Sequence, residues 1–121
     1  MPFAITVLPA ARRVEVVYPA EPTPRDVAEY LLAIKKVMDE IAAPWFCLVD
    51  QRALASMPEK LLEQIRTMNE YAVRKGMVRS ARLVKSVFEV MENNRMAQAA
   101  QASSRSFYDR DEALRWLHGG G

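Results

Sequence analysis

A small oxygen-bearing residue followed three positions later by an acid occurs four times in this chain, and no other feature constrains the fold as much. The copies are Thr23-Pro24-Arg25-Asp26, Ser56-Met57-Pro58-Glu59, Ser86-Val87-Phe88-Glu89 and Asp109-Arg110-Asp111-Glu112. In a capping box the first side chain accepts from an orphan amide at a helix start, and the acid reaches back to the first residue's own amide. The last three copies each follow a short apolar, strand-like run. Strand and helix therefore alternate, which is the pattern of an α/β domain. The same pattern assigns the most conspicuous polar residues to helix starts, so a hydroxyl here is first of all a cap.

A chain of 121 residues is long enough for one domain that buries roughly two-thirds of its unfolded surface. The expected domain covers residues 1–118, with 119–121 a disordered glycine tail. Half the residues are apolar and about a quarter charged, an ordinary globular balance. The single cysteine, Cys47, excludes an internal disulfide and a cysteine-rich metal site. It suits a reducing cytoplasm, the expected location. No apolar run reaches the ~20 residues of a membrane span, and the first residues do not pair a basic region with an apolar stretch, as a signal peptide would. A formal charge of +2 does not by itself point to nucleic acid.

Along the chain, Ile5 to Pro9 reads as a short strand and Arg13 to Tyr18 as a second. So short a link makes them an antiparallel hairpin. A first helix starts at Thr23 with Pro24 in its first turn. Its core stripe is Val27, Leu31, Ile34, Met38 and Ile41. Trp45 to Val49 is continuously apolar, as a central strand covered on both faces must be. A second helix is expected from Ser56 to about Lys75, burying Leu61, Ile65, Met68 and Ala72, with Gly76 at the left-handed closing position. A fourth strand covers Ser80 to Lys85, a third helix Ser86 to about Ala102, a fifth strand surrounds Phe107, and Asp109 caps a last helix.

Asp50, Gln51 and Arg52 mark the sharpest polarity change in the chain, where the central strand leaves the sheet. Ligands of open α/β sheets bind beyond the carboxyl ends of strands, so this edge is the default site. A solvated loop in which Asp50 pairs with Arg52 is the competing explanation. Ser56 is a phosphorylation candidate, but Glu59 completes its box and favours the cap. Arg74, Lys75, Arg79, Arg82 and Lys85 place five cations in twelve residues. They read more readily as a solvated basic rim than as an anion site, and Arg82 within a strand suggests a partly exposed sheet edge. Phe88 and Met91, on the third helix, could line an apolar pocket. Cys47 reads as a small buried hydrophobe. His118 has no evident partner for a triad or a metal site.

The element order, with Phe46-Cys47-Leu48-Val49-Asp50-Gln51-Arg52 as central strand and exit, resembles the STAS-domain proteins. Within them it is similar to the bacterial set described as like anti-sigma-factor antagonists (SpoIIAA-like), over nearly the whole chain. The resemblance implies a mixed sheet of four to five strands with an antiparallel first strand, flanked by about four helices. It implies no cofactor and usually no catalysis. In the antagonists a serine after the central strand is phosphorylated by a partner kinase. Here Pro58 and Glu59 stand where Asp and that serine would be, so the phosphoswitch is not carried over.

The expected function is a non-enzymatic regulatory module that binds an unidentified protein partner through Asp50, Arg52, Ser56 and Glu59, flanked by Arg79 and Arg82. The alternative is a carrier of a small apolar or anionic, lipid-like ligand, with Phe88 and Met91 in its pocket. No nucleic acid is implied, and a homodimer is compatible with either reading.

Overall fold

The computed structural model describes residues 2–56, 58–86 and 103–119. The described strands are β1 (Ala4–Leu8), β2 (Arg13–Val17), β3 (Trp45–Asp50), β4 (Met77–Leu83) and β5 (Ser104–Phe107). They form one sheet in the order β1-β2-β3-β4-β5. β1 pairs antiparallel with β2, and a short 3-10 turn, Pro9–Ala11, joins them. Every other pair is parallel. The mixed sheet with an antiparallel first strand is the architecture expected from the sequence. The described helices are α1 (Pro24–Glu40), α2 (Glu59–Arg74) and α3 (Arg110–Gly119). The helix expected over 86–102 lies outside the described residues.

β3 is the middle strand, and its side chains divide between two cores. Trp45, Cys47 and Val49 join Val14, Val16, Ile34, Leu61 and Ile65 in the layer beneath α1 and α2. Leu48 faces the other way and packs with Ala81, Leu83, Phe107, Ala113 and Leu117 beneath α3. Two successive crossovers of the usual right hand, stepping in one direction along a sheet, put their helices on one face, which is where α1 and α2 lie. α3 covers the opposite face. Its first residue, Arg110, is tied to Glu15 of β2 at 2.8 Å, and Glu15 also pairs with Arg13 at 2.9 Å.

The helix starts distinguish two similar sequences. Thr23 forms a full box: its hydroxyl accepts from the Asp26 amide at 3.1 Å, and its own amide donates to Asp26 Oδ2 at 2.9 Å. Asp109 caps α3 by accepting from the Glu112 amide at 3.0 Å. Ser56 does not cap. α2 begins at Glu59, with Pro58 in the cap position and no side-chain cap bond. The difference is where proline falls. Pro24 follows its cap residue, which is extended in any case; Pro58 stands one position later, and a proline drives the residue before it out of helical geometry. A box starting at Ser56 would need that preceding residue inside the helix.

α1 buries Val27, Tyr30, Ile34 and Met38. The expected stripe held Leu31 in place of Tyr30, but Leu31 is only partly buried. Tyr30 turns inward to stack on Phe3, ring centroids 4.4 Å apart, with Tyr18 edge-on to both. Gly76 closes α2 at φ +100, and a Cβ there would collide with the Ala43 side chain. Trp45 locks this turn: its amide donates to the Gly76 carbonyl at 3.1 Å and its indole N–H to the Lys75 carbonyl at 3.0 Å.

Thr23 and Ser56 should separate experimentally. Thr23→Ala should cost about 1 kcal/mol in urea unfolding, while Ser56→Ala should stay within about 0.5 kcal/mol. An equal loss for both would mean that Ser56 caps α2 in solution. Gly76→Ala combines a left-handed backbone with a steric clash, and should lower stability by more than about 1 kcal/mol.

Candidate functional site

At its carboxyl end β3 stops being apolar within one residue. The Asp50 carboxylate accepts three hydrogen bonds from Arg52: from the amide at 3.0 Å, from Nε at 3.0 Å and from Nη2 at 2.9 Å. The first is the local bond by which an aspartate turns its own backbone; the other two form a bidentate ion pair. These bonds hold the Asp50 carboxyl below the usual carboxylate range and push the Arg52 guanidinium up.

The loop behind this pair is anchored at several points. The Gln51 amide donates to the Leu83 carbonyl at 3.0 Å, Leu54 to Gln51 at 3.1 Å and Ala55 to Ala20 at 2.9 Å. Lys85 Nζ donates to the Leu54 carbonyl at 2.6 Å. Leu54 and Gln51 are buried, and Gln51 Oε1 has no hydrogen-bond partner among the described residues. Ser56, Pro58 and Glu59 continue from this loop as an exposed stretch. Glu59 lies in the first turn of α2, where a negative charge complements the helix dipole.

Asp50, Arg52, Ser56 and Glu59 therefore lie along one continuous segment. Arg79 does not join them. In β4 it is the register partner of Phe46, toward the other end of β3, and it belongs to the α3 face. There its Nη1 donates to the Trp116 carbonyl at 2.7 Å and its guanidinium lies over the Trp116 ring. Arg82 is not on a rim. It is 3% exposed, between β3 and β5, inside the layer under α1 and α2. The expected partly exposed sheet edge is thus incorrect: a cation in a strand marked a buried position, because its neighbours on both sides are paired strands.

The five clustered cations divide among separate environments. Arg74 and Lys75 both lie over the Tyr71 ring, and Lys75 pairs with Asp39 at 3.3 Å. The Tyr71 hydroxyl donates to the same Asp39, which lowers the Asp39 carboxyl and raises the phenol. Phe88 and Met91 lie outside the described residues. Cys47 is buried, and desolvation pushes its thiol to about 11, well away from a reactive thiolate. His118 is held at Nε2 by Arg13 Nη1, 3.0 Å away, with its ring edge-on to Phe46. An arginine donor there requires a neutral ring with its proton on Nδ1, consistent with the downward shift from burial and from Arg13. Among the described residues no three histidine, cysteine or carboxylate side chains converge to hold a metal, and no described helix is long and apolar enough to cross a membrane.

The polar cluster that the sequence reading missed surrounds Arg82. Arg82 Nη2 donates to Asn69 Oδ1 at 3.3 Å, and Tyr18, Tyr30, Cys47 and Ser80 share the same small cavity. The signal for it was present: Ser80 and Arg82 stand two apart in β4 and so face one side of the sheet.

No protein-family model matches the chain, and no curated protein sequence does. A solved structure does match: an uncharacterized protein from the DUF3478 family with a SpoIIAA-like fold, from Shewanella loihica PV-4. It is 14% identical, with a TM-score of 0.78, over 95% of this chain and 93% of that one. The chain has a SpoIIAA-like, STAS-type fold. At this identity the likeness establishes the architecture, including the antiparallel hairpin and the helices on both faces, while roles for individual residues must come from this chain's own geometry.

The Asp50–Arg52 pair has a definite pH signature. A carboxyl depressed in the folded state stabilises the fold above its unfolded pKa, about 3.9, and the contribution is lost as pH falls through the lower folded value. The pair is partly exposed, so the effect is at most about 1 kcal/mol. Asp50→Asn should therefore destabilise the domain near neutrality and become almost neutral in acid, once the pH is below the lowered folded value. A loss of equal size in urea unfolding at both would show that packing, not charge, is what Asp50 contributes.

Proposed function

We propose that this domain is a non-catalytic interaction module, regulatory in character, that docks a protein partner on the exit of β3 and the start of α2. The observation that carries the reading is the combination of rigidity and exposure in this segment. Backbone bonds to Ala20 and Leu83 and the Lys85 ammonium fix the loop, while Arg52, Ser56 and Glu59 project outward. A loop already held in one conformation loses little entropy on binding, and affinity gained by preorganisation needs little buried area. The Asp50–Arg52 fork presents both signs of charge at fixed spacing, which favours selection among partners more than raw affinity. The SpoIIAA-like fold supports the same reading at the level of architecture.

The contacts in this reading are Asp50, Arg52, Ser56 and Glu59. Arg79 and Arg82 are left out, the first because it serves the α3 face and the second because it is buried.

Arg52→Glu breaks the fork and sets two acids side by side. With the protein immobilised and exposed to extract of the cells that make it, wild type should retain a partner, and Arg52→Glu should lower its recovery by about tenfold, equivalent to ~1.4 kcal/mol. Circular dichroism and urea unfolding should show the variant folded. A folded Arg52→Glu that retains the partner undiminished would remove this surface from the interaction.

A further inference from the structure

The layer between the sheet and α1/α2 is built mainly from aliphatic and aromatic side chains, yet it encloses a guanidinium. Arg82 faces this layer: its register partner Val49 belongs to the same core, while its neighbours Ala81 and Leu83 belong to the core under α3. One end of the guanidinium is satisfied by Asn69 at 3.3 Å. The other, Nη1, is buried and has no hydrogen-bond partner among the described residues. The cavity that Arg82 lines has a volume of about 20 Å³ and is also bordered by Tyr18, Tyr30, Cys47, Asn69 and Ser80.

Burying a charge without an opposite one is among the costliest arrangements a fold can hold. None of the described residues lining the cavity is a carboxylate. The tyrosines do not supply the missing charge. Burial pushes both phenols above their ordinary value; the Arg82 charge, and at Tyr18 also the guanidinium donating toward the hydroxyl, offset this only in part. The Cys47 thiol is likewise kept protonated by desolvation. At neutral pH the walls therefore offer one fixed positive charge and several neutral groups able to donate: phenol and serine hydroxyls, an amide and a thiol.

We propose that this cavity is a binding site for a single small monovalent anion of halide size, held by the free Nη1 of Arg82 and the surrounding neutral donors. Size restricts the class. A space of about 20 Å³ accommodates one water-sized occupant, so a carboxylate-bearing metabolite or a phosphate is too large. Charge separates the two occupants of the right size: an anion completes the guanidinium, whereas a water leaves its charge unopposed. The site is distinct from the proposed docking segment. Asp50 lies next to Val49 in β3, but the Asp50–Arg52 fork is on the exposed rim and Arg82 is in the interior.

The test is thermal unfolding of the full chain at constant ionic strength, with sodium gluconate replaced stepwise by sodium chloride or bromide. Gluconate is too large for the cavity and serves as the baseline. Wild type should gain Tm in proportion to the logarithm of the halide concentration, by about 6 °C when the halide reaches roughly ten times its dissociation constant. Arg82→Met keeps the length of the side chain without its charge and should show no halide dependence. The proposal is overturned if wild type responds equally to gluconate and halide, the result expected of a water-filled cavity, or if Arg82→Met keeps the full halide gain. Should Arg82→Met fail to fold, bromide anomalous scattering from wild-type crystals decides. A peak within hydrogen-bonding distance of Arg82 Nη1 supports the site, and its absence at high bromide overturns it.

Discussion

β3 has to be covered on both faces, and the rest of the structure follows from that requirement. Trp45, Cys47 and Val49 need one apolar layer and Leu48 another. A sheet with helices on only one side would leave one of these sets in water, losing about 25 cal/mol for each Å² of apolar surface left exposed. α1 and α2 supply the first cover and α3 the second. The antiparallel hairpin of β1 and β2 then extends the sheet on the side of β3 away from β4. Because β3 is apolar throughout its length, its polar residues are deferred to its end. Asp50, Gln51 and Arg52 are therefore concentrated where the strand emerges, and the exit of the middle strand becomes a charged turn.

What could be read in the sequence depended on how local the governing physics was. Thr23 was legible because a capping box is closed within four residues. Ser56 carries the same pattern and fails because one proline is displaced by one position. That too is local, and the spacing of Pro58 was available to correct it. Tyr30 was not legible in this way. Its inward turn is set by Phe3 and Tyr18, which come from other parts of the chain, so a periodicity count that admits only aliphatic residues passes it over. The Asp50–Arg52 pair lay within reach of sequence reasoning for the same reason as Thr23, its members being two positions apart.

The run of cations between Arg74 and Lys85 shows the limit most plainly. Neighbours in sequence became neighbours in function only for Arg74 and Lys75, which share Tyr71 at the end of α2. In β4 the alternation of a strand sends Arg79 to the α3 face and Arg82 to the opposite one. Net charge along a segment carries no information about which side of a sheet each charge occupies. Position within the sheet does, and β4 is interior only because β5 pairs with it, through residues 24 positions downstream.

Arg52 and Arg82 show why contact lists and energies must be kept apart. Arg52 makes the better-looking interaction, a bidentate fork with good distances. Its partly exposed position means that water would satisfy both partners nearly as well, and such pairs contribute little. Among the described residues Arg82 makes a long bond to a neutral amide and has given up its hydration almost entirely. For a group in that position, whatever replaces the lost water dominates the local energetics, because the interaction is felt in a medium of low dielectric. The exposed fork is thus free to serve recognition, since the fold depends on it only weakly. The buried guanidinium is tied to the integrity of the layer between the sheet and α1/α2, and any group that neutralises it acts directly on the stability of that layer.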